Sequence, residues 1–116
     1  MESLRQNKVV KQFVERLINE PALRGLDNAE IDNILKGIKE FELVNTSRNN
    51  IEKDKMLFVG FNKAVIQVDG SSHDFSVLTT EDFIKKRFSG FENIVWQCFF
   101  NEKIKENWKI SILLLR

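Results

Sequence analysis

The chain has 116 residues, 18 of them basic and 17 acidic, with a hydrophobic content of 42%, the composition of an ordinary globular protein. Apolar content this high excludes the signature of intrinsic disorder, and a net charge of +1 supplies no bulk field for steering to nucleic acid, lipid or acidic substrates. A chain this long is one domain, 1–116, able to bury a core without disulfides, which its single cysteine, Cys98, cannot form within the chain.

The first residues, MESLRQNKVVKQF, carry charges where a secretory signal needs its apolar region, and no run reaches the roughly 18 apolar residues of a membrane span. A cytoplasmic protein without membrane association is expected.

Spacing predicts a helix over residues 3–20. Val10, Phe13, Val14, Leu17 and Ile18 fall at i, i+3, i+4, i+7 and i+8, one apolar stripe. Ser3 is placed to cap it, and Pro21 stops it. Asp27-Asn28-Ala29-Glu30 has the form of a capping box and opens a second helix at about 28–40, with Ile31, Ile34, Leu35 and Ile38 on its inner side. The two helices read as an αα-hairpin.

Residues 41–44 read as a short strand, and the polar run 46–55 as an exposed loop. The stretch 56–78 reads as the centre of the sheet. Strands at 56–61 and 64–68 meet in a hairpin at Asn62-Lys63, and a third short strand, 75–78, follows a turn built on Gly70, Ser71, Ser72 and Asp74. A short helix starts at Thr79 and runs to about Phe88, ended by Ser89-Gly90. Two last strands occupy 94–100 and 109–116, joined by the link 101–108. The order is α-α-β-β-β-β-α-β-β. It implies an α+β fold in which an N-terminal αα-hairpin and one further short helix cover an antiparallel sheet of about five to six strands.

Chemical motifs are few. Ser72-His73-Asp74 has the residue types of a catalytic triad, but consecutive side chains project in different directions, and the segment reads as a turn. His73 is the only histidine, so imidazole chemistry belongs there or nowhere. Cys98 lies inside an apolar strand and reads as a small buried hydrophobe. One histidine and one cysteine do not make a structural zinc site, and the acidic run DNAEID at 27–32 lacks the glycine and closing glutamate of a calcium loop. No glycine-rich phosphate loop occurs. No cofactor and no metal are expected.

A helix-turn-helix reading of residues 3–40 fails on charge, because the second helix opens with Asp27, Glu30 and Asp32, which repel DNA. The last third interleaves Lys85, Lys86, Arg87, Lys103, Lys105, Lys109 and Arg116 with Trp96 and Trp108, a pattern that suits single-stranded nucleic acid. Glu81, Asp82, Glu92, Glu102 and Glu106 dilute that field, and nucleic acid is disfavoured as a partner.

The reading that remains is a small non-enzymatic protein-interaction module of the inhibitor, immunity-like, chaperone or adaptor type, acting on one protein partner. Its candidate contact residues are Trp108, Lys103, Lys105 and Trp96, on and beside the 101–109 link, with the 46–55 segment as a second candidate surface. The alternatives are a ligand-binding or enzymatic pocket on the sheet, marked by His73 and Asp74, and single-stranded nucleic-acid binding by the C-terminal third. The apolar run ILLL at 112–115 has to be buried. A homodimer pairing through 109–116 as an edge strand is one way to do it.

Overall fold

Two helices precede the first strand in a computed structural model that describes residues 7–20, 22, 26, 28–53, 58–71, 75–104 and 107–116. Among these residues the order is α1 (Lys8–Asn19), α2 (Asn28–Leu35), β1 (Phe41–Ser47), α3 (Arg48–Lys53), β2 (Lys63–Gly70), α4 (Val77–Arg87), β3 (Asn93–Phe100) and β4 (Lys109–Leu115).

The apolar stripe of α1 is the one its spacing predicts: Val10, Phe13, Val14 and Leu17 are buried, while Ile18 lies at the margin. Asn7 caps the helix, its Oδ1 accepting from the Val9 and Val10 amides at 3.0 and 3.4 Å. Ser3 and Asp27 lie outside the described residues. α2 buries Ile31, Ile34 and Leu35 but ends earlier than its apolar spacing suggests. Gly37 takes φ 72 just beyond it, a left-handed stop that only glycine adopts at no cost.

One sheet runs in the order β1-β4-β2-β3. β4 pairs antiparallel with both neighbours, Val44↔Ile112 on one side and Ile66↔Ile112 on the other. β2 and β3 run parallel, Ala64↔Ile94 through Gly70↔Phe100, with α4 as the crossover that parallel strands require. Helices cover both faces. Ala64, Ile66, Val68, Cys98, Ile110, Ile112 and Leu114 face Ile51 of α3 and Ile84 of α4. Val65, Val95, Leu113 and Leu115 face α1 and α2. A strand covered on both faces has no polar side, which is why residues 112–115 read ILLL.

The α+β class stands, while the sheet itself differs from expectation. It has four strands rather than five to six and is mixed rather than wholly antiparallel. Residues 58–60 form a turn: the Phe61 amide donates to Phe58 O at 3.2 Å and Gly60 takes φ 92, so no strand runs to Phe61 and no hairpin forms at Asn62-Lys63. Residues 56 and 57 lie outside the described residues. Phe75–Leu78 is no strand either, because Ser76 caps α4. Its Oγ accepts from the Thr79 amide at 3.1 Å, and its own amide donates to Thr79 Oγ1 at 2.9 Å, so Val77 and Leu78 enter the first helical turn. The expected 46–55 loop is the end of β1 followed by α3, whose Ile51 is fully buried. β4 is interior, with both hydrogen-bonding edges taken by β1 and β2, so a homodimer through 109–116 has no free edge to use. Among the described residues no helix is long and apolar enough to cross a membrane.

Candidate functional site

Trp108 is 1% exposed. It stands at the entry to β4 and lines, with Arg48, Leu78, Thr79, Asp82, Phe83 and Lys86, a surface groove of about 390 Å³. Phe75 and Phe83 meet the indole edge-on, at centroid distances of 5.4 and 5.8 Å. The Arg48 guanidinium lies 4.2 Å above the ring, and the Arg48 amide donates to Trp108 O at 2.9 Å.

α4 supplies one wall. Thr79, Phe83 and Lys86 recur at helical spacing along it, and Leu78 and Asp82 form the adjoining row. Lys86 and Asp82 form an exposed ion pair at 3.1 Å. Arg87 donates from Nε to Ile51 O at 3.0 Å, which fixes α4 against α3. Leu78 has 78% of its surface exposed, the most open large apolar side chain among the described residues. The arrangement offers an exposed apolar side chain, Leu78, backed by aromatic residues, with charged side chains of both signs around it. It can hold an apolar side chain of another molecule and present polar partners around it.

The remaining predicted residues separate. Trp96 is half-buried on β3 and packs on the same core cluster as Trp108, but it lines a different, more polar depression of about 270 Å³ with Glu30 and Asn33 of α2. Lys103 is exposed on the turn after β3, where its amide donates to Asn101 Oδ1 at 3.1 Å. Lys105, His73 and Asp74 lie outside the described residues. Leu78, Arg48 and Phe83 were not singled out by the sequence reading. For Leu78 and Phe83 a signal was present in Ser76-x-x-Thr79, which sets the phase of α4; Arg48, at the start of α3, had none.

A third polar centre lies across the sheet. Arg16 of α1 donates to Asp69 Oδ2 at 2.6 Å, to Gln67 Oε1 at 2.9 Å and to Glu20 Oε2 at 3.0 Å, with its guanidinium 4.3 Å from the Phe99 ring centre. Burial works against the Arg16 charge. Its hydrogen bonds to Asp69 and Glu20, with their charges, outweigh that cost and raise its pKa above the ordinary arginine range. Gln67 donates onward to Phe13 O at 2.8 Å. Every group here has a structural partner, so this centre fastens α1 to β2.

No protein-family model matches the chain, and no curated protein does. Solved structures do. A chain of an FtsZ dimer from M. jannaschii is similar with a TM-score of 0.67 at 16% identity, over 92% of this chain and 35% of its own. The W319Y mutant of M. jannaschii FtsZ gives a TM-score of 0.65 at 12% identity, over 93% of this chain and 38% of its own. CetZ from Methanosaeta thermophila strain DSM 6194 gives 0.56 at 12% identity, over 91% and 34%. At these identities the likeness is one of fold, and this chain spans little more than a third of the length of the structures that share it.

Proposed function

We propose that the chain is a small non-enzymatic protein-interaction module that binds one protein partner in the Trp108 groove. The observation that carries this reading is Leu78, 78% exposed in the lining of a groove that Phe83 and Trp108 also line. An apolar side chain held out at a helix start gains about 1.5–3 kcal/mol when another molecule covers it. The two segments expected to contact a partner, 46–55 and 101–109, contribute Arg48 and Trp108 to this one groove. Trp108, 1% exposed, acts from behind by holding Arg48, Phe75 and Phe83 in place. The fold likeness adds support, since one structure that shares the fold is an FtsZ dimer, a body of this shape within an assembled protein.

The test is capture of partner by tagged wild-type chain and by Leu78→Glu, at moderate and high salt. Glutamate in the first turn of α4 suits the helix dipole, so the fold is retained. One stoichiometric protein held by the wild type through high salt and lost from Leu78→Glu supports the groove. Equal retention by both, or none by either, defeats it.

A further inference from the structure

β1 is an outermost strand of the sheet. Three contacts at its ends fix which of its backbone groups point inward. The Arg48 amide donates to Trp108 O at 2.9 Å, the Glu40 amide to Arg116 O at 2.9 Å, and the Arg116 amide to Glu40 O at 3.0 Å. Residues 40, 42, 44, 46 and 48 therefore bond to β4. The alternation of an antiparallel ladder turns the N–H and C=O of Phe41, Leu43 and Asn45 to the outer side. Among the described residues these three make no backbone hydrogen bond there. β3 is the other outermost strand, and on it the Cys98 amide is already taken by Gln97 Oε1 at 3.0 Å.

β1 also lacks the features that keep sheet edges apart. FELVNTS contains no proline and no lysine, and Glu42 is its one charge. We propose that β1 pairs antiparallel with β1 of a second copy, about a two-fold axis at Val44, joining two four-stranded sheets into one. This register sets outward groups against outward groups. Leu43 opposes Asn45, Phe41 opposes Ser47 and Glu42 opposes Thr46, so every residue of the strand has a counterpart.

Charge selects the second copy as the occupant. Immediately beyond the strand, Glu40 of each copy falls opposite Arg48 of the other, an acid facing a base at both ends, and no like charges are opposed. Glu40 already holds Arg116, yet its side chain is 60% exposed and has an open face for a second guanidinium. Moving the axis to Leu43 removes the opposition of charge. Moving it to Asn45 sets Glu42 against Arg48 but leaves Phe41 without a counterpart in the strand. An axis perpendicular to the sheet brings both Trp108 grooves to one side of the dimer. The backbone pairing at Leu43 and Asn45 uses no groove residue, while Arg48, which lies over Trp108, serves both surfaces.

The test is sedimentation of the full chain over a range of concentrations, with Leu43→Pro as the variant. Proline at 43 removes an outward N–H and leaves the β1–β4 ladder intact, because that ladder uses the neighbouring residues. The wild type is expected at twice the 13.6 kDa of one chain, and Leu43→Pro at 13.6 kDa with an unchanged circular-dichroism spectrum. Arg48→Glu sets like charges opposite each other at both ends and weakens the dimer about tenfold, and adding Glu40→Arg restores it. Hydrogen exchange gives a readout that survives a misfolded variant: the Leu43 and Asn45 amides of the wild type are protected in the dimer. A wild type that stays at 13.6 kDa throughout, a dimer that Leu43→Pro leaves intact, or Leu43 and Asn45 amides that exchange freely overturns the proposal.

Discussion

Arg16 on α1 and Asp69 near the end of β2 are joined by an ion pair of 2.6 Å, with Asp69 only 5% exposed. The pair ties the first helix to the middle of the sheet. Removing Arg16 strands a buried carboxylate beside Asn101 Nδ2, its remaining partner at 3.4 Å. Arg16→Ala is therefore expected to cost about 2–3 kcal/mol in urea unfolding, less than the roughly 3–5 kcal/mol of a fully buried pair because Arg16 is partly exposed. Lysine regains only part of this, since a single ammonium cannot reproduce a planar fork serving Asp69, Gln67 and Glu20. The raised Arg16 pKa gives the sign of the pH response. A cation whose pKa is raised by folding contributes stability that is complete below its unfolded pKa and is lost as pH rises through the folded one. That window lies above the ordinary arginine range, so unfolding free energies of wild type and Arg16→Lys should keep a constant difference across neutral pH. A difference that collapses between mildly acid and mildly alkaline buffer contradicts this account.

Gly70 and Phe75 set up the second prediction. A Cβ at Gly70 would come within 2.8 Å of the Phe75 ring, closer than real Cβ contacts allow. Phe75 in turn meets Trp108 edge-on. Gly70→Ala therefore drives the ring toward Trp108 and is expected to lose about 1–3 kcal/mol, the usual cost of overpacking. Because Trp108 is the ring it pushes against, its fluorescence should change as well. Trimming the ring with Phe75→Val in the Gly70→Ala background should make the double variant more stable than the two single losses added together. Strict additivity would mean that the ring yields without strain.

Cys98 is fully buried on β3. Its thiol has no path to reagent while the sheet is closed, so an aromatic disulfide should label the native chain only at the rate of unfolding and label it stoichiometrically in denaturant. Fast labelling in native buffer would show that the β3 side of the sheet opens locally.

The first two helices and the last strand were legible because their patterns are local. Val10, Phe13, Val14 and Leu17 of α1 follow one helical stripe, and the apolar run of β4 announced burial, though not that β4 is an interior strand. Errors arose where an apolar residue serves the core from outside a strand. Phe58 reads as strand in 56–61, yet it reaches the core from a turn, packing on Phe88 at 4.8 Å and Phe91 at 5.9 Å. Ile51 looked like a stray apolar residue in a polar loop and is the buried side of a short helix. Ser76 fixed the start of α4, but Phe75, Val77 and Leu78 around it had the composition of a strand. The parallel pair was recoverable in principle, since strand, helix and strand in succession is a crossover. The strand assigned at 56–61 supplied β2 with a false hairpin partner and hid it. The groove was legible only in its parts, because Arg48, Leu78 and Trp108 are far apart in the chain and meet only through the sheet order.

The last of the four strands in chain order stands second in the sheet, between β1 and β2. Synthesis from the ribosome therefore delivers β1, β2 and β3 before the strand that joins them. Until residues 109–115 emerge, β1 has no neighbour to pair with, and only the β2–α4–β3 unit can form its own ladder. Closure of a long loop must precede most of the stabilising contacts, which places the chain among the slower folders of its size and makes the step at β4 all-or-none. A nascent chain stalled before Trp108 should remain a substrate for chaperones and proteases, and emergence of β4 should end that exposure.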